Sequence, residues 1–117
     1  MRFMSFALTT EQVLARTKTV TRRVGWRDAR TGLRFQPVKK VRGLPRGGKV
    51  EPIGGPVRVV ATRREPLDAL LAYPDPAAEV AAEGFPGMDP AEFVRWFAQA
   101  HKCDPRAPVT RIAFEYL

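Results

Sequence analysis

The sequence predicts an α+β fold, a small and mostly antiparallel β-barrel with short helices covering it. Two observations carry that prediction. Segments rich in β-branched residues or alternating in polarity recur from the N-terminus to the C-terminus, as strands half buried against a core do. The firm helix signals are short and fall mainly between the last two candidate strands, where helices would cover one opening. Size adds a bound. With 117 residues, the chain suffices for one core and falls short of two ordinary domains, so residues 1–117 are read as a single domain.

Residues 2–8 alternate like a strand. Thr9 and Gln12 then fit a capping box, opening a two-turn helix to about Arg16 that packing of Val13 and Leu14 must hold. Thr17 to Val24 is β-branched and favours extended backbone. A polar loop spans 25–34. Phe35 to Val41 is a candidate strand, weakened by Pro37, and Gly43 to Gly55 is a basic, Gly/Pro-rich hairpin or loop. In the next strand, Val57 to Arg64, alternation places Val57, Val59 and Ala61 on one face.

Pro66 to Leu71 begins a short helix that Tyr73-Pro74-Asp75-Pro76 interrupts. Ala77 to Ala82 forms another, ending near Glu83 and Gly84. After the apolar loop Gly84-Phe85-Pro86-Gly87-Met88, Asp89-Pro90-Ala91-Glu92 combines an N-cap, a first-position proline and a capping-box acid. Phe93, Trp96, Phe97 and Ala100 then form one apolar stripe, read as core. Asp104-Pro105 stops this helix, and Val109 to Tyr116 is the final strand, with Ile112 and Phe114 inward.

Composition narrows the function classes. No apolar run approaches the roughly 20 residues a membrane-spanning helix needs, and the short apolar start lacks a signal-peptide cleavage pattern. One cysteine, Cys103, allows no intramolecular disulfide, so a reducing cytoplasm is the expected location. Arginine outnumbers lysine 15 to 5 and asparagine is absent, which fits a heat-adapted source and equally a GC-rich genome. A metal centre is not expected, because His101 and Cys103 are the only residues of their kinds, and His101 reads as a surface helix cap. No cofactor is implied, and nothing names a protein partner. Residues 1–64 hold 16 Lys and Arg against three acids, a net +13, whereas residues 65–117 carry −5. A one-sided basic surface attracts polyanions, so RNA or a nucleotide-like ligand is the expected partner.

The densest polar stretch is Arg16-Thr17-Lys18-Thr19-Val20-Thr21-Arg22-Arg23. In an extended segment Thr21 and Arg23 share a face, and Lys18 joins them only if the helix-to-strand turn rotates it. Taken alone, the stretch equally fits a basic edge strand facing solvent. Trp26, Phe35, Tyr73 and Phe85 are candidates for stacking on a base, or for core. Phe85, beside Glu83, is the preferred pocket wall.

The segment Lys18-Thr19-Val20-Thr21-Arg22-Arg23 resembles the signature of the ASCH domain: Gly, any residue, Lys, any two, Thr, any, Arg. Its setting agrees. A short strand and helix precede it, an acid stands before the loop 84–88 and the amphipathic helix, and a strand closes the chain. Arg16 departs from the pattern at the Gly position. The resemblance implies a PUA-like barrel and a ligand among RNA or modified nucleosides. It is nearest to small bacterial members that remove the acetyl group of N4-acetylcytidine without metal. By motif position, the catalytic set is Lys18, Thr21 and an acid matched to Glu83, with Glu65 as rival. Arg23, Arg16, Arg22 and Phe85 are the substrate-binding set. Lys18 serves as base if burial and neighbouring cations lower its pKa against the pull of Glu83. Thr21 is nucleophile or activator of a water, and Arg23 stabilises the oxyanion. Two alternatives use the same cleft: a non-catalytic RNA-binding module and a single-strand ribonuclease.

Overall fold

A computed structural model describes residues 1–117. In order, the elements are β1 (Arg2–Ser5), α1 (Thr10–Leu14), β2 (Val20–Arg23), β3 (Arg34–Val38), β4 (Val57–Pro66), a 3₁₀ helix (Leu67–Ala72), α2 (Pro76–Ala82), α3 (Pro90–Ala100) and β5 (Pro108–Tyr116). The strands form one five-stranded sheet in the order β1-β3-β4-β5-β2. The β1–β3 pair is parallel and the others are antiparallel.

The α+β class holds, but the sheet does not close into the expected barrel. β1 and β2 are its two edges, four residues each, and they do not pair with one another. A barrel needs that last seam of hydrogen bonds. Here residues of both edges instead line a cavity, which also receives side chains of α3.

β4 and β5 form the longest pairing, from Val57 opposite Tyr116 to Pro66 opposite Pro108. A bulge interrupts it. Val59 faces Phe114 and Ala61 faces Ala113, so Val60 is the extra residue and lies exposed. That insertion breaks the alternation read along the strand. Val57 and Val59 are buried, and Ala61 is exposed. Pro37 is tolerated in β3 because β4 pairs with β3 only at Arg34 and Phe35.

Two apolar cores result. Met4, Phe6, Phe35, Val57, Val59 and Phe114 are central to the first. Its rings lie within contact of one another, with Phe6–Phe35, Phe6–Phe114 and Phe35–Phe114 centroids 6.4, 6.1 and 5.9 Å apart. The second joins Leu67, Leu70, Val80, Phe93, Phe97 and Val109, gluing the helices to the far end of β4 and β5.

Several local expectations are corrected. Thr9 makes no side-chain cap, and the Gln12 side chain, which would complete the box, instead donates from Nε2 to the Gly84 carbonyl at 3.2 Å. Gly84 has φ 108°, and a Cβ there would lie 3.1 Å from Gln12 Cγ, so glycine alone suits this junction. Val13 is buried, whereas Leu14 is 54% exposed. α3 buries Phe93, Val94, Phe97 and Ala98, leaving Ala100 exposed and Trp96 half-buried. The stripe is thus rotated from the expected one, and Trp96 is free to meet a ligand.

Candidate functional site

The turn between α1 and β2 is what brings Lys18 inward. Arg16 takes φ 60°, and the Thr17 and Lys18 amides then both donate to the Gln12 carbonyl, at 3.0 and 3.4 Å. Lys18 is pinned further by Tyr116, whose hydroxyl donates to the Lys18 carbonyl at 2.6 Å. Next to it, the Thr19 amide donates to Ala82 at 2.9 Å, tying the turn to the end of α2. The Lys18 residue is 3% exposed.

Glu83, at the C-cap of α2, receives it. Lys18 Nζ donates to the Glu83 backbone carbonyl at 2.6 Å and to Oε1 at 3.1 Å. The other carboxylate oxygen, Oε2, accepts from Arg22 at 2.8 Å. Burial is the largest influence on Lys18 and lowers its pKa. Glu83 pulls upward without overcoming it, and Arg23 and Arg22 add to the lowering. The competition that residue types alone left open is therefore decided in favour of a more easily deprotonated amine.

Arg22 has no exposed side-chain surface. Besides Glu83 it reaches Glu79 at 3.1 Å and Glu65 at 3.6 Å, and it donates to the Tyr73 hydroxyl at 3.3 Å. Its Nε has no partner. Burial opposes its charge, but Glu83 and Glu79 outweigh burial and raise its pKa. Each outer carboxylate has further support. Glu79 accepts from Arg111 at 2.7 and 3.2 Å, and Glu65 accepts from the Tyr73 hydroxyl and from Arg63. Arg22 is thus engaged by carboxylates, and it also lines the cavity that holds Lys18 and Thr21.

Arg23 has the opposite character. No carboxylate forms a salt bridge with it. Its guanidinium lies 4.7 Å over the Phe6 ring, and its Nε donates to Thr21 Oγ1 at 3.1 Å. Burial pulls its pKa down to about 10, so it stays charged at neutral pH.

Lys18, Thr21, Arg23 and Glu83 line one cavity of about 440 Å³. Trp26, Phe85 and Trp96 supply aromatic walls, while Lys40 and Arg42 stand on its basic side. Phe85 and Trp96 meet edge to face, with centroids 5.0 Å apart. The expected Phe85 wall is therefore present. Glu65, the rival acid, and Tyr73 do not line the cavity, and Phe35 is wholly within the core. Arg16 is also elsewhere, with its guanidinium 5.7 Å from the Tyr116 ring beside a separate small cavity.

Sequence reasoning missed Trp96, Phe97 and His101 as lining residues. The first two looked like core because a helical stripe does not reveal where its edge meets a cavity. His101 does cap α3, as expected, but its ring also stacks 4.1 Å from Phe97 and lines the same cavity. Desolvation, then Arg23, lowers its pKa. No three His, Cys, Asp or Glu side chains converge as metal ligands would.

Fold and site define an α+β protein with an open five-stranded sheet and a buried Lys–Glu–Arg cluster at its unpaired seam. No protein-family model and no curated protein matches the chain. Among solved structures, it is similar to protein EF3133 from Enterococcus faecalis V583, of the family DUF984, with a TM-score of 0.62 at 13% identity. The match covers 100% of this chain and 76% of that one. A likeness at this identity speaks for the fold alone.

Proposed function

We propose that the cavity is the active site of an amidohydrolase that removes the acyl group of an acylated nucleoside such as N4-acetylcytidine, without a metal ion. The observation that carries this reading is Lys18, a buried amine with a lowered pKa, held by Glu83 beside Thr21 and Arg23 in one aromatic-walled cavity. The ASCH resemblance of Lys18, Thr21 and Arg23 supports it, and with it a PUA-like ancestry for the open sheet.

The roles follow from residue chemistry. Lys18 as the free amine accepts the Thr21 hydroxyl proton while Oγ1 attacks the amide carbonyl. Arg23, already bonded to Oγ1, faces the negative charge that develops on the carbonyl oxygen. The proton passes from Lys18 through Glu83 to the departing exocyclic amine, and water then releases the acyl group from Thr21. Trp26, Phe85 and Trp96, which line the cavity, offer stacking surfaces to the base.

Conversion of N4-acetylcytidine to cytidine with EDTA present tests this. Turnover should survive EDTA and fall by about 10²-fold or more in Lys18→Ala, the scale of a lost general base. Thr21→Ser should retain activity that Thr21→Ala loses. The reactive species is neutral Lys18, so the rate should rise with pH and level off below the ordinary lysine value of 10.5. A folded wild type that hydrolyses nothing sinks the reading. The same cavity would then be an RNA-binding module, a reading favoured by the free cations Lys40 and Arg42, with an affinity that falls steeply as salt rises.

A further inference from the structure

A second cavity, of about 350 Å³, adjoins the first. Ala7 and Lys40 line both, so the two cavities are neighbours. Their chemistry differs sharply. Aromatic rings wall the first, whereas Lys39, Lys40, Lys49, Thr10 and Glu51 dominate the second. Glu51 neutralises only Lys39, by a salt bridge of 3.1 Å. Lys40 and Lys49 form no salt bridge, and the one polar contact of Lys40 is a 3.5 Å approach to the Gly43 carbonyl. Arg42, on the basic side of the first cavity, likewise forms none.

From this we infer that the second cavity binds a phosphate group esterified to the sugar of the base held in the first, with Lys40 and Lys49 as its ligands. The inference rests on reading the first cavity as a nucleoside pocket, and it deepens that reading by making the substrate a phosphorylated nucleoside. An uncharged nucleoside has no use for two unneutralised ammonium groups, Lys40 where the cavities meet and Lys49 in the second. A phosphate there gains charge-assisted hydrogen bonds and releases counterions. Such a phosphate is either the monoester of a free nucleotide or the diester of an RNA strand, and both present the same oxygens.

Trp26 and Trp96 line the first cavity, so their fluorescence reports occupancy. The test compares binding of N4-acetylcytidine, its 5′-monophosphate and an RNA dinucleotide containing the acetylated base. Each is measured on the wild type, on Lys49→Gln, which lies outside the first cavity, and on Lys40→Gln/Lys49→Gln, whose side chains are exposed and do not threaten folding. A phosphorylated ligand should bind the wild type about tenfold or more tighter than the nucleoside, the scale of one or two charge-assisted hydrogen bonds. That gain should shrink with salt, fall in Lys49→Gln with nucleoside affinity unchanged, and vanish in the double variant. A gain for the monophosphate alone identifies a free nucleotide, and an equal gain for the dinucleotide identifies a strand.

Equal affinity of all three for the wild type overturns the inference. So does a Lys49→Gln variant that loses nucleoside and nucleotide alike, and so does absence of binding by any of them. Hydrolysis separates the two readings. Lysine-dependent nucleotide binding without deacetylation sinks only the hydrolase. Deacetylation of nucleoside and nucleotide with equal affinity and rate sinks only the phosphate site.

Discussion

Arg16 shows how a single backbone angle directs the site. At φ 60° it occupies the left-handed region that suits glycine. Left-handed backbone costs an ordinary residue about 1–2 kcal/mol, partly offset by the extra freedom glycine gives the unfolded chain. Arg16→Gly should therefore raise stability by about 0.5–1 kcal/mol, whereas the β-branched Arg16→Val should lower it. Urea unfolding of the two variants checks this, and a less stable glycine variant would mean that the cation over Tyr116 outweighs the strain. The same turn explains what was legible here. Strand parity correctly paired Thr21 with Arg23, and the structure joins them by a hydrogen bond. Parity also required a rotated turn to bring in Lys18, and that turn is present. The fate of Arg22 was hidden, because its three carboxylates come from segments about 40 to 60 residues away in sequence.

Among the elements, α3 was the most legible, since its start is encoded locally. Asp89 accepts from the Glu92 amide at 3.2 Å and Pro90 opens the first turn, as the motif implies. Asp89→Ala should cost about 1 kcal/mol, the usual loss for an N-cap. Because α3 carries Trp96 and His101 to the cavity, the variant should also weaken ligand affinity slightly while leaving the pH dependence set by Lys18 unchanged. Thermal unfolding together with a binding titration would show both, and unaltered stability would discount the cap. α1 was less legible because its Gln12 has a distant use. A capping box and a bond to Gly84 compete for one amide, and the tertiary contact wins. Closure of the sheet was less legible still. Propensity marks β1 and β2 as strands, but pairing depends on where their neighbours place them, and each finds only one partner. The Val60 bulge similarly leaves no trace in a run of β-branched residues.

At the scale of the whole molecule, one buried ionic cluster links β2 to β4, α2 and β5. Arg22 is its hub, joining Glu83, Glu79 and Glu65, while Lys18, Arg111 and Arg63 hold the outer sides of those acids. Removing one member of a buried pair is costly because the other charge stays behind. Arg22→Met should destabilise the fold by about 3 kcal/mol or more on that account, although each carboxylate keeps one other cation. The cluster also sets the response to acid. Burial alone would raise the pKa of Glu79 and of Glu65, but Arg111 and Arg22 hold the first below the ordinary carboxylate value, and Tyr73 and Arg63, with Arg22, hold the second there. A depressed carboxylate stabilises the folded state above its unfolded pKa, and that stability disappears as pH falls through the folded value. Without Arg22 both pKa values rise, so the loss begins at higher pH. Acid titration followed by far-UV circular dichroism should thus show Arg22→Met unfolding at a higher pH than the wild type. Arg22→Lys should fall between them, because a lysine keeps the charge but cannot fork to three carboxylates. Coincident acid midpoints for all three proteins would remove Arg22 from the centre of the cluster and leave the sheet and helices joined by their apolar cores alone.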